Sequence, residues 1–220
     1  MKIEPETWKA IVFDFDGTLA GLNIDFALMR AAVLELPLCR AIPEEKLAGL
    51  YTLELIETTA ALIAQRNKKD ASRFRLEAYS VIAKIEMEAA RKGKLFAGTK
   101  TLLAELRRRS IKTGIITRNC RAAVLRVFPD VGLYADATLA REDSQNVKPH
   151  PGHLQKALGI LGVSGKDAAM VGDHPMDIMT ARQAGSCAVG VLTGSADEKS
   201  LRAAGADLIL ANASAILGHL

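Results

Sequence analysis

The sequence predicts an α/β protein in which a parallel sheet carries helices on both faces and an all-α subdomain is inserted. Short apolar runs alternate with amphipathic stretches along most of the chain, as strands and helices do around such sheets. Several runs are apolar throughout, which is expected of strands covered on both faces. Between about residues 25 and 94 the strand pattern stops and only helical periodicity remains. The insertion is predicted from that interruption.

The sheet is predicted to contain six strands, each a short apolar run. The runs span residues 9–14, 113–117, 135–139, 168–172, 187–191 and 207–210. Helices are predicted between them at residues 101–109, 121–128, 152–161 and 176–184. In the first of these helices Leu102, Leu103 and Leu106 form one apolar stripe, so this face is expected to pack on the sheet.

The inserted segment has the pattern of two long helices. Pro43 followed by two glutamates is typical of a helix start, and leucines at helical spacing come after it. A second helix is predicted over residues 72–91. We therefore expect an α/β core of residues 1–20 and 96–220, with residues 21–95 as a helical cap.

Composition and charge narrow the function classes. The 220 residues suffice for one sizeable domain with an insertion, and 49% apolar against 25% charged residues is the balance of a globular protein. The net charge is +4, and basic clusters at residues 66–69, 91–94 and 107–109 lie at predicted helix ends, where cations complement the helix dipole. No aromatic interleaving or nucleic-acid motif accompanies them, so we expect no nucleic-acid partner.

The expected location is the cytoplasm. No apolar run approaches the roughly 20 residues of a membrane helix, so no membrane partner is expected. The first six residues include Glu4 and Glu6 and do not resemble a signal peptide. Cys39, Cys120 and Cys187 are odd in number and far apart, which is typical of thiols in a reducing compartment.

Two carboxylates follow the first predicted strand. Asp14 and Asp16 stand two residues apart directly after an apolar run, and Gly17 allows a sharp turn away from the strand. Because ligands bind at the carboxyl edge of open parallel sheets, both side chains are candidates for one site. Acidic pairs also occur in ordinary turns, and the position after a buried strand is what favours a site here.

Two further candidates are a hydroxyl and an ammonium group. Thr117 ends a predicted strand just before a helix, where a hydroxyl and backbone amides can hold an anion, although Thr and Asn are also common helix caps. Lys148 precedes Pro149 and Pro151, so its ammonium comes from a stiff loop and can neutralise phosphate charge. Taken alone, Thr117 is more simply an ordinary helix cap and Lys148 a surface lysine.

The last candidates are Asp173 and Asp177, which follow the predicted strand at residues 168–172. They are four residues apart across a tight turn into a helix. Asp173 is placed to reach a metal ion, while Asp177 can hold a neighbouring cation such as Lys148. Helix capping by aspartate is the structural alternative for both.

In their order along the chain these groups resemble the haloacid dehalogenase superfamily over nearly the full length. That family has a strand followed by D-x-D-G-T, a strand ending in Thr or Ser, a Lys before Pro, and a strand followed by G-D-x-x-x-D, and this sequence contains all four. The resemblance implies a Rossmann-like sheet with a C1-type helical cap, and among subfamilies it is nearest to the phosphoglycolate phosphatase group.

The resemblance also implies a Mg²⁺-dependent phosphatase that acts on a small phosphorylated metabolite, such as phosphoglycolate or a sugar phosphate. Asp14 would form an aspartyl-phosphate, and Asp16 would serve as general acid and base. A retained Asp16 distinguishes this chain from the dehalogenase and phosphonate-cleaving branches. By the same resemblance the metal ligands are Asp14, the backbone carbonyl of Asp16, and Asp173. The phosphate ligands are Thr117, the Arg118 backbone amide and Lys148, which Asp177 orients.

Other functions stay open at this stage. A phosphomutase of the same family shares every catalytic aspartate, whereas a binding or regulatory module would be expected to have lost one. Residues 20–25 lack the Asp-Ser pair of many family phosphatases, which leaves the substrate open. The chain is expected to be a monomer or a homodimer.

Two weaker hypotheses concern basic side chains. Residues 66–75 of the cap contain arginines and lysines that could contact a second anionic group of the substrate, although solvated side chains are the simpler interpretation. A zinc site built from His150, His153 and His174 is disfavoured, because no cysteine accompanies them and the prolines near His150 interrupt a regular helix.

Overall fold

The computed structural model describes residues 8–220 and confirms the predicted α/β class. The strands, in chain order, are Ala10–Phe13 (β1), Ala20–Gly21 (β2), Lys94–Leu95 (β3), Lys112–Ile116 (β4), Ala137–Leu139 (β5), Ala168–Gly172 (β6), Cys187–Val191 (β7) and Leu208–Leu210 (β8). Six of them form one parallel sheet in the order β5-β4-β1-β6-β7-β8. The carboxyl end of β1 therefore lies between the carboxyl ends of β4 and β6.

Helices connect these strands. They are Phe26–Leu34 (α1), Pro37–Arg40 (α2), Thr52–Ala64 (α3), Lys68–Lys92 (α4), Thr99–Arg108 (α5), Arg121–Val127 (α6), Gly152–Leu161 (α7), Pro175–Gln183 (α8) and Glu198–Ala203 (α9). Across the described part of the chain, none of these helices combines the length and the apolar character needed to cross a membrane.

Both faces of the sheet are covered, which explains why its strands are apolar throughout. Ala10 and Val12 of β1 pack in a cluster with Leu154 and Leu158 of α7. Successive side chains of a strand point to opposite faces, so the equally buried Phe13 lies on the other face. On that face α5 packs against β4 and against the C-terminal 3₁₀ segment. The two layers place the sheet in the centre of the core.

The helices of the inserted segment begin at other residues than predicted. The expected helix from Pro43 is only a 3₁₀ turn over Glu44–Lys46, and α3 begins at Thr52. Gly49 has a φ of 71°, a left-handed conformation that a continuous helix does not contain. The second helix begins four residues earlier than predicted, because the Asn67 side chain accepts hydrogen bonds from the first amides of α4.

The chain divides into two compact units. One unit is the chain up to Leu22 and again from Lys92 to Leu220, and the other is Asn23–Arg91. Within the first unit, β2 and β3 form an antiparallel pair. β2 lies just before the chain leaves this unit, and β3 lies just after the chain returns to it. The helical unit has its own apolar interior, with the fully buried side chains Leu55, Ile56, Phe74 and Ile82.

Candidate active site

Asp14 and Asp173 meet at the carboxyl edge of the sheet because their strands are neighbours. In the parallel pairing of β1 and β6, Phe13 is opposite Val171. The Asp14 amide continues this pairing and donates to the Val171 carbonyl at 2.8 Å. Asp14 is therefore level with Gly172, one residue before Asp173, and the carboxylates of the two aspartates lie close together.

Lys148 and Asp177 complete a buried charge cluster around Asp14. The Lys148 Nζ lies 2.5 Å from Asp14 Oδ1 and 2.7 Å from Asp177 Oδ1. Asp14, Asp173 and Asp177 each offer a carboxylate oxygen, and these oxygens lie within 4.8 Å of one another. All four side chains are buried, and Lys148 is only 3% exposed. The structure thus brings together four residues that the sequence placed in three separate motifs.

The cluster shifts the pKa values of its members. Burial raises the pKa of Asp14 well above its usual range, and Lys148 opposes this while Asp177 and Asp173 add repulsion. Burial and the charge of Asp177 raise the pKa of Asp173 to about 6. Burial alone would lower the pKa of Lys148, but Asp14 and Asp177 outweigh it, so the pKa is raised and the lysine is held as a cation. The single positive charge of Lys148 therefore neutralises only part of the negative charge of the three carboxylates.

The donor set fits a hard divalent cation such as Mg²⁺. Mg²⁺ prefers carboxylate oxygens, and a bound dication would offset both the burial and the repulsion between carboxylates that raise the pKa of Asp14 and Asp173. The oxygens of Asp177 are already engaged, because Oδ1 accepts from Lys148 and Oδ2 accepts from the His174 amide at 3.0 Å. Asp14 and Asp173 are consequently the better metal ligands of the three.

The Asp16 carboxylate lies outside this group. Its Oδ1 accepts a hydrogen bond from the Leu22 amide at 2.8 Å, across the turn that leads into β2. The turn is tightened by the Gly17 amide, which donates to the Ala20 carbonyl, and Gly17 has a φ of 85°. Asp16 is only partly buried, so its side chain is held in position yet remains in contact with solvent.

Thr117 and Arg118 lie on the neighbouring strand end, after β4. Thr117 is fully buried, and its Oγ1 accepts a hydrogen bond from the Asn119 amide at 3.2 Å. The Arg118 guanidinium donates to the Lys148 carbonyl and contacts Met176 Sδ at 3.4 Å. The side chain of Arg118 thereby joins the loop after β4 to the loop that carries Lys148.

Asp173 is supported by a group of small residues that the sequence patterns did not identify as part of the site. The Asp173 carboxylate accepts from Thr18 Oγ1 at 3.2 Å and from the Ser195 amide at 3.3 Å. Thr193 Oγ1 donates to the Gly17 carbonyl at 2.6 Å, and any side chain at Gly194 would overlap Asp173. Thr18 belongs to the motif after β1, whereas the available signal for Thr193, Gly194 and Ser195 was their position shortly after the apolar strand β7.

Two of the three histidines near the site accept hydrogen bonds from nearby backbone amides. The Nδ1 atoms of His150 and His174 accept from the amides of Gly152 and Met176. His153 is fully buried on α7, and burial lowers its pKa to about 3. Among the described residues, the one cluster with metal-ligand geometry consists of aspartates alone.

A family model and individual relatives match this chain. Residues 11–191 match the model of the haloacid dehalogenase-like hydrolases. A phosphoglycolate phosphatase of Photorhabdus laumondii is 30% identical over 96% of this chain and 92% of its own length. A protein of Caldanaerobacter subterraneus named "Putative pyrophosphatase PpaX" is 31% identical over 83% of this chain and 80% of its own length.

Solved structures agree in fold. A hydrolase from Pseudomonas syringae superimposes with a TM-score of 0.72 at 20% identity, over 96% of this chain and 97% of its own. A β-phosphoglucomutase from Clostridium difficile superimposes with a TM-score of 0.63 at 18% identity, over 94% and 92% respectively. At these identities the similarity concerns the fold alone.

Proposed function

The chain belongs to the haloacid dehalogenase-like hydrolase family and is a phosphatase of that family, and we propose that it hydrolyses a small phosphorylated metabolite through an aspartyl-phosphate on Asp14, with Mg²⁺ as cofactor. The observation that carries this proposal is the Asp14 carboxylate itself. It lies 2.5 Å from Lys148 in a buried cluster with Asp173, at the edge of the sheet where ligands bind.

In the first step, Asp14 attacks the phosphorus atom of the substrate. A carboxylate can do this only as an anion, and burial works against the charged form. The ammonium of Lys148 favours the anion, and it also neutralises charge on the phosphate that approaches. As the new bond forms between the Asp14 oxygen and phosphorus, the bond from phosphorus to the ester oxygen breaks.

Asp16 is the proposed general acid and base. In the first half-reaction its proton goes to the leaving oxygen of the substrate. In the second, it accepts a proton from the water that attacks the aspartyl-phosphate, which releases inorganic phosphate and restores the Asp14 carboxylate. The hydrogen bond from the Leu22 amide holds Asp16 in one orientation without burying it completely, as both proton transfers require.

The metal and the phosphate would be bound by groups from four loops. Mg²⁺, when bound by Asp14, the Asp16 carbonyl and Asp173, supplies positive charge next to the anionic phosphate. Three donors are proposed for the phosphate oxygens: the Thr117 hydroxyl, the Arg118 amide and Lys148. Asp177 orients Lys148 from the far side through its 2.7 Å contact. Such positioned charges supply much of the catalysis in phosphoryl transfer.

The test is phosphate release from a panel of metabolites that contains phosphoglycolate, pyrophosphate and several sugar phosphates. We expect at least one to be hydrolysed with kcat/KM of about 10⁴ M⁻¹s⁻¹ or more, and expect EDTA to abolish the activity. Asp14→Asn should be silent, whereas the matched variant Asp70→Asn in the helical unit, where the side chain is 35% exposed, should retain full activity. A wild-type protein that releases phosphate from none of these compounds would contradict the proposal.

The same panel separates hydrolysis from intramolecular transfer. A phosphomutase would convert a sugar phosphate to its isomer and release little free phosphate, and product analysis distinguishes the two results. We further propose a cytoplasmic location, which the thiol side chains of Cys39, Cys120 and Cys187 support because disulfides are rare in that compartment. Whether the protein is a monomer or a homodimer stays a prediction for sedimentation analysis.

A further inference from the structure

Arg141 is a buried cation next to the loop that follows β4. It opens the 3₁₀ turn Arg141–Asp143 directly after β5, and its side chain is 7% exposed. Its Nη1 donates to the Arg118 carbonyl at 2.8 Å, and its backbone amide donates to the Asn119 carbonyl at 3.1 Å. An arginine keeps its charge even when buried, so the donor to the Arg118 carbonyl is a charged group.

That carbonyl belongs to the peptide unit that also contains the Asn119 amide. A peptide unit is planar, so the direction of its carbonyl determines the opposite direction of its N–H. The Asn119 N–H points at Thr117 Oγ1 and donates to it at 3.2 Å. Because this oxygen already accepts a hydrogen bond, the hydroxyl proton of Thr117 is available for another acceptor, such as a phosphate oxygen.

Successive hydrogen bonds of this kind strengthen one another. A cation on the carbonyl polarises the peptide unit and makes its N–H a better donor, and a hydroxyl that accepts such a bond becomes a better donor in turn. The two bonds run in one direction, from the guanidinium to the peptide unit and from the peptide unit to the hydroxyl. The hydroxyl proton of Thr117 lies at the end of this series, and it is the atom that would contact an anion.

The rest of the turn fixes the far end of the same loop. Cys120 precedes α6 without providing a side-chain cap, and Glu142 Oε2 accepts instead from the Arg121 amide at 3.0 Å. Asp143 receives a hydrogen bond from the Arg121 side chain. The loop between β4 and α6 is therefore held at both ends by the turn that Arg141 begins.

We propose that Arg141 is a positioning residue that orients and polarises the Thr117 hydroxyl toward the phosphate, acting through the peptide between Arg118 and Asn119. The inference rests on the proposed phosphatase function, because it assigns the anion to the transferring phosphate. Arg141 does not contact the substrate in this scheme, so its effect must pass through Thr117.

A double-mutant cycle tests that dependence. Binding of inorganic phosphate in the presence of Mg²⁺ is measured by calorimetry for the wild type, Arg141→Met, Thr117→Val and the double variant. We expect each single change to weaken phosphate binding about tenfold, the order expected for one lost hydrogen bond with a charged partner. The double variant should bind no more weakly than Thr117→Val alone, since the arginine acts through the hydroxyl. Independent effects, about 100-fold together, would overturn the proposal, as would wild-type affinity in Arg141→Met.

Further arms separate this role from general stability and from the proposed function. Arg141→Lys keeps the charge with fewer donors and should fall between the wild type and Arg141→Met; it replaces the Met variant in the cycle should that variant not fold. The exposed Arg126→Met on α6 should bind phosphate as the wild type does. Substrate turnover is measured in parallel, so a wild type that turns over substrate but shows independent effects overturns only the role of Arg141. A wild type that neither binds nor releases phosphate overturns both.

Discussion

The α/β core and the helical unit of residues 23–91 hold their ion pairs in opposite environments. In the core, Lys148 and Asp177 are 3% and 2% exposed and form a pair at 2.7 Å. In the helical unit, Arg75 and Glu57 form an equally short pair at 2.7 Å, but they are 44% and 47% exposed. The two pairs have the same shortest distance between nitrogen and oxygen and differ in how much water surrounds them.

The difference in burial distinguishes charges that serve the chemistry of a site from charges that serve solubility. Moving a charge out of water costs several kcal/mol unless partners compensate, and a buried pair is therefore weak evidence of a stabilising role. Exposed pairs contribute about 0–1 kcal/mol and are easily replaced. The core tolerates three carboxylates around one ammonium, an arrangement that stability alone does not favour. Such a cluster is expected where a phosphate and a cation are to be bound.

The largest expected effect comes from removing the buried cation. Lys148→Met leaves Asp14 and Asp177 without their shared partner, so phosphate release should fall by about 10³-fold or more. The free energy of unfolding should fall by about 3–5 kcal/mol, as for other broken buried pairs. Lys100→Met, which removes an exposed pair with Asp130, should cost about 1 kcal/mol or less. Near-normal turnover in Lys148→Met would show that the buried pair is only structural.

A smaller effect is expected where a side chain would intrude on the cluster. In Gly194→Ala the new methyl group would overlap the Asp173 carboxylate, so that ligand has to move. A displaced ligand should reduce phosphate release about 10- to 100-fold and raise the Mg²⁺ concentration needed for half-maximal activity. Gly159→Ala on α7 is the matched control, because open space surrounds it. Equal activities of the two variants would contradict the assignment of Asp173 as a metal ligand.

The pH dependence of stability offers a third comparison between buried and exposed groups. The pKa of His153 is lowered to about 3, so the native state keeps this ring neutral while the unfolded chain takes up a proton below about pH 6.5. Its contribution to stability is present above pH 6.5 and is lost by about 1.4 kcal/mol per unit as the pH falls toward 3.

The raised pKa of Asp173, about 6, acts in the opposite sense, because the native state takes up that proton first. The informative quantity is therefore the difference between wild type and His153→Leu. Urea unfolding between pH 6.5 and 5 in EDTA should show the difference shrinking as the pH falls. A constant difference would mean that His153 is protonated in the native state.

The smallest effect is expected in the helical unit. Arg75→Met removes hydrogen bonds to Glu57 from an exposed pair, so the free energy of unfolding should change by less than about 1 kcal/mol. KM should also stay the same, because the Arg75 guanidinium already donates its hydrogen bonds to Glu57. A raised KM for an acidic substrate, with unchanged kcat, would instead show that Arg75 contacts a second anionic group.

Sequence patterns predicted an element correctly where a single local rule determines that element. Apolar runs identified all six strands of the sheet, since a strand covered on both faces has no polar side. The helix predicted from Pro43 was wrong, because leucines at helical spacing did not reveal the left-handed turn at Gly49. The start of α4 was displaced for a similar reason, since the capping role of Asn67 depends on where its side chain points.

The sequence by itself determined the fold class and the residue types of the candidate site, because both follow from patterns of only a few adjacent residues. It placed Asp14, Thr117, Lys148 and Asp173 at strand or loop ends, and the parallel sheet brings such ends to one edge. Only the tertiary structure decided which of these groups touch, that Thr18 and Ser195 support Asp173, and that Arg141 is buried against the Arg118 carbonyl. Contacts of this kind join residues far apart in the chain. They depend on which strands lie next to each other in the sheet, and the local pattern of a single strand does not encode that order.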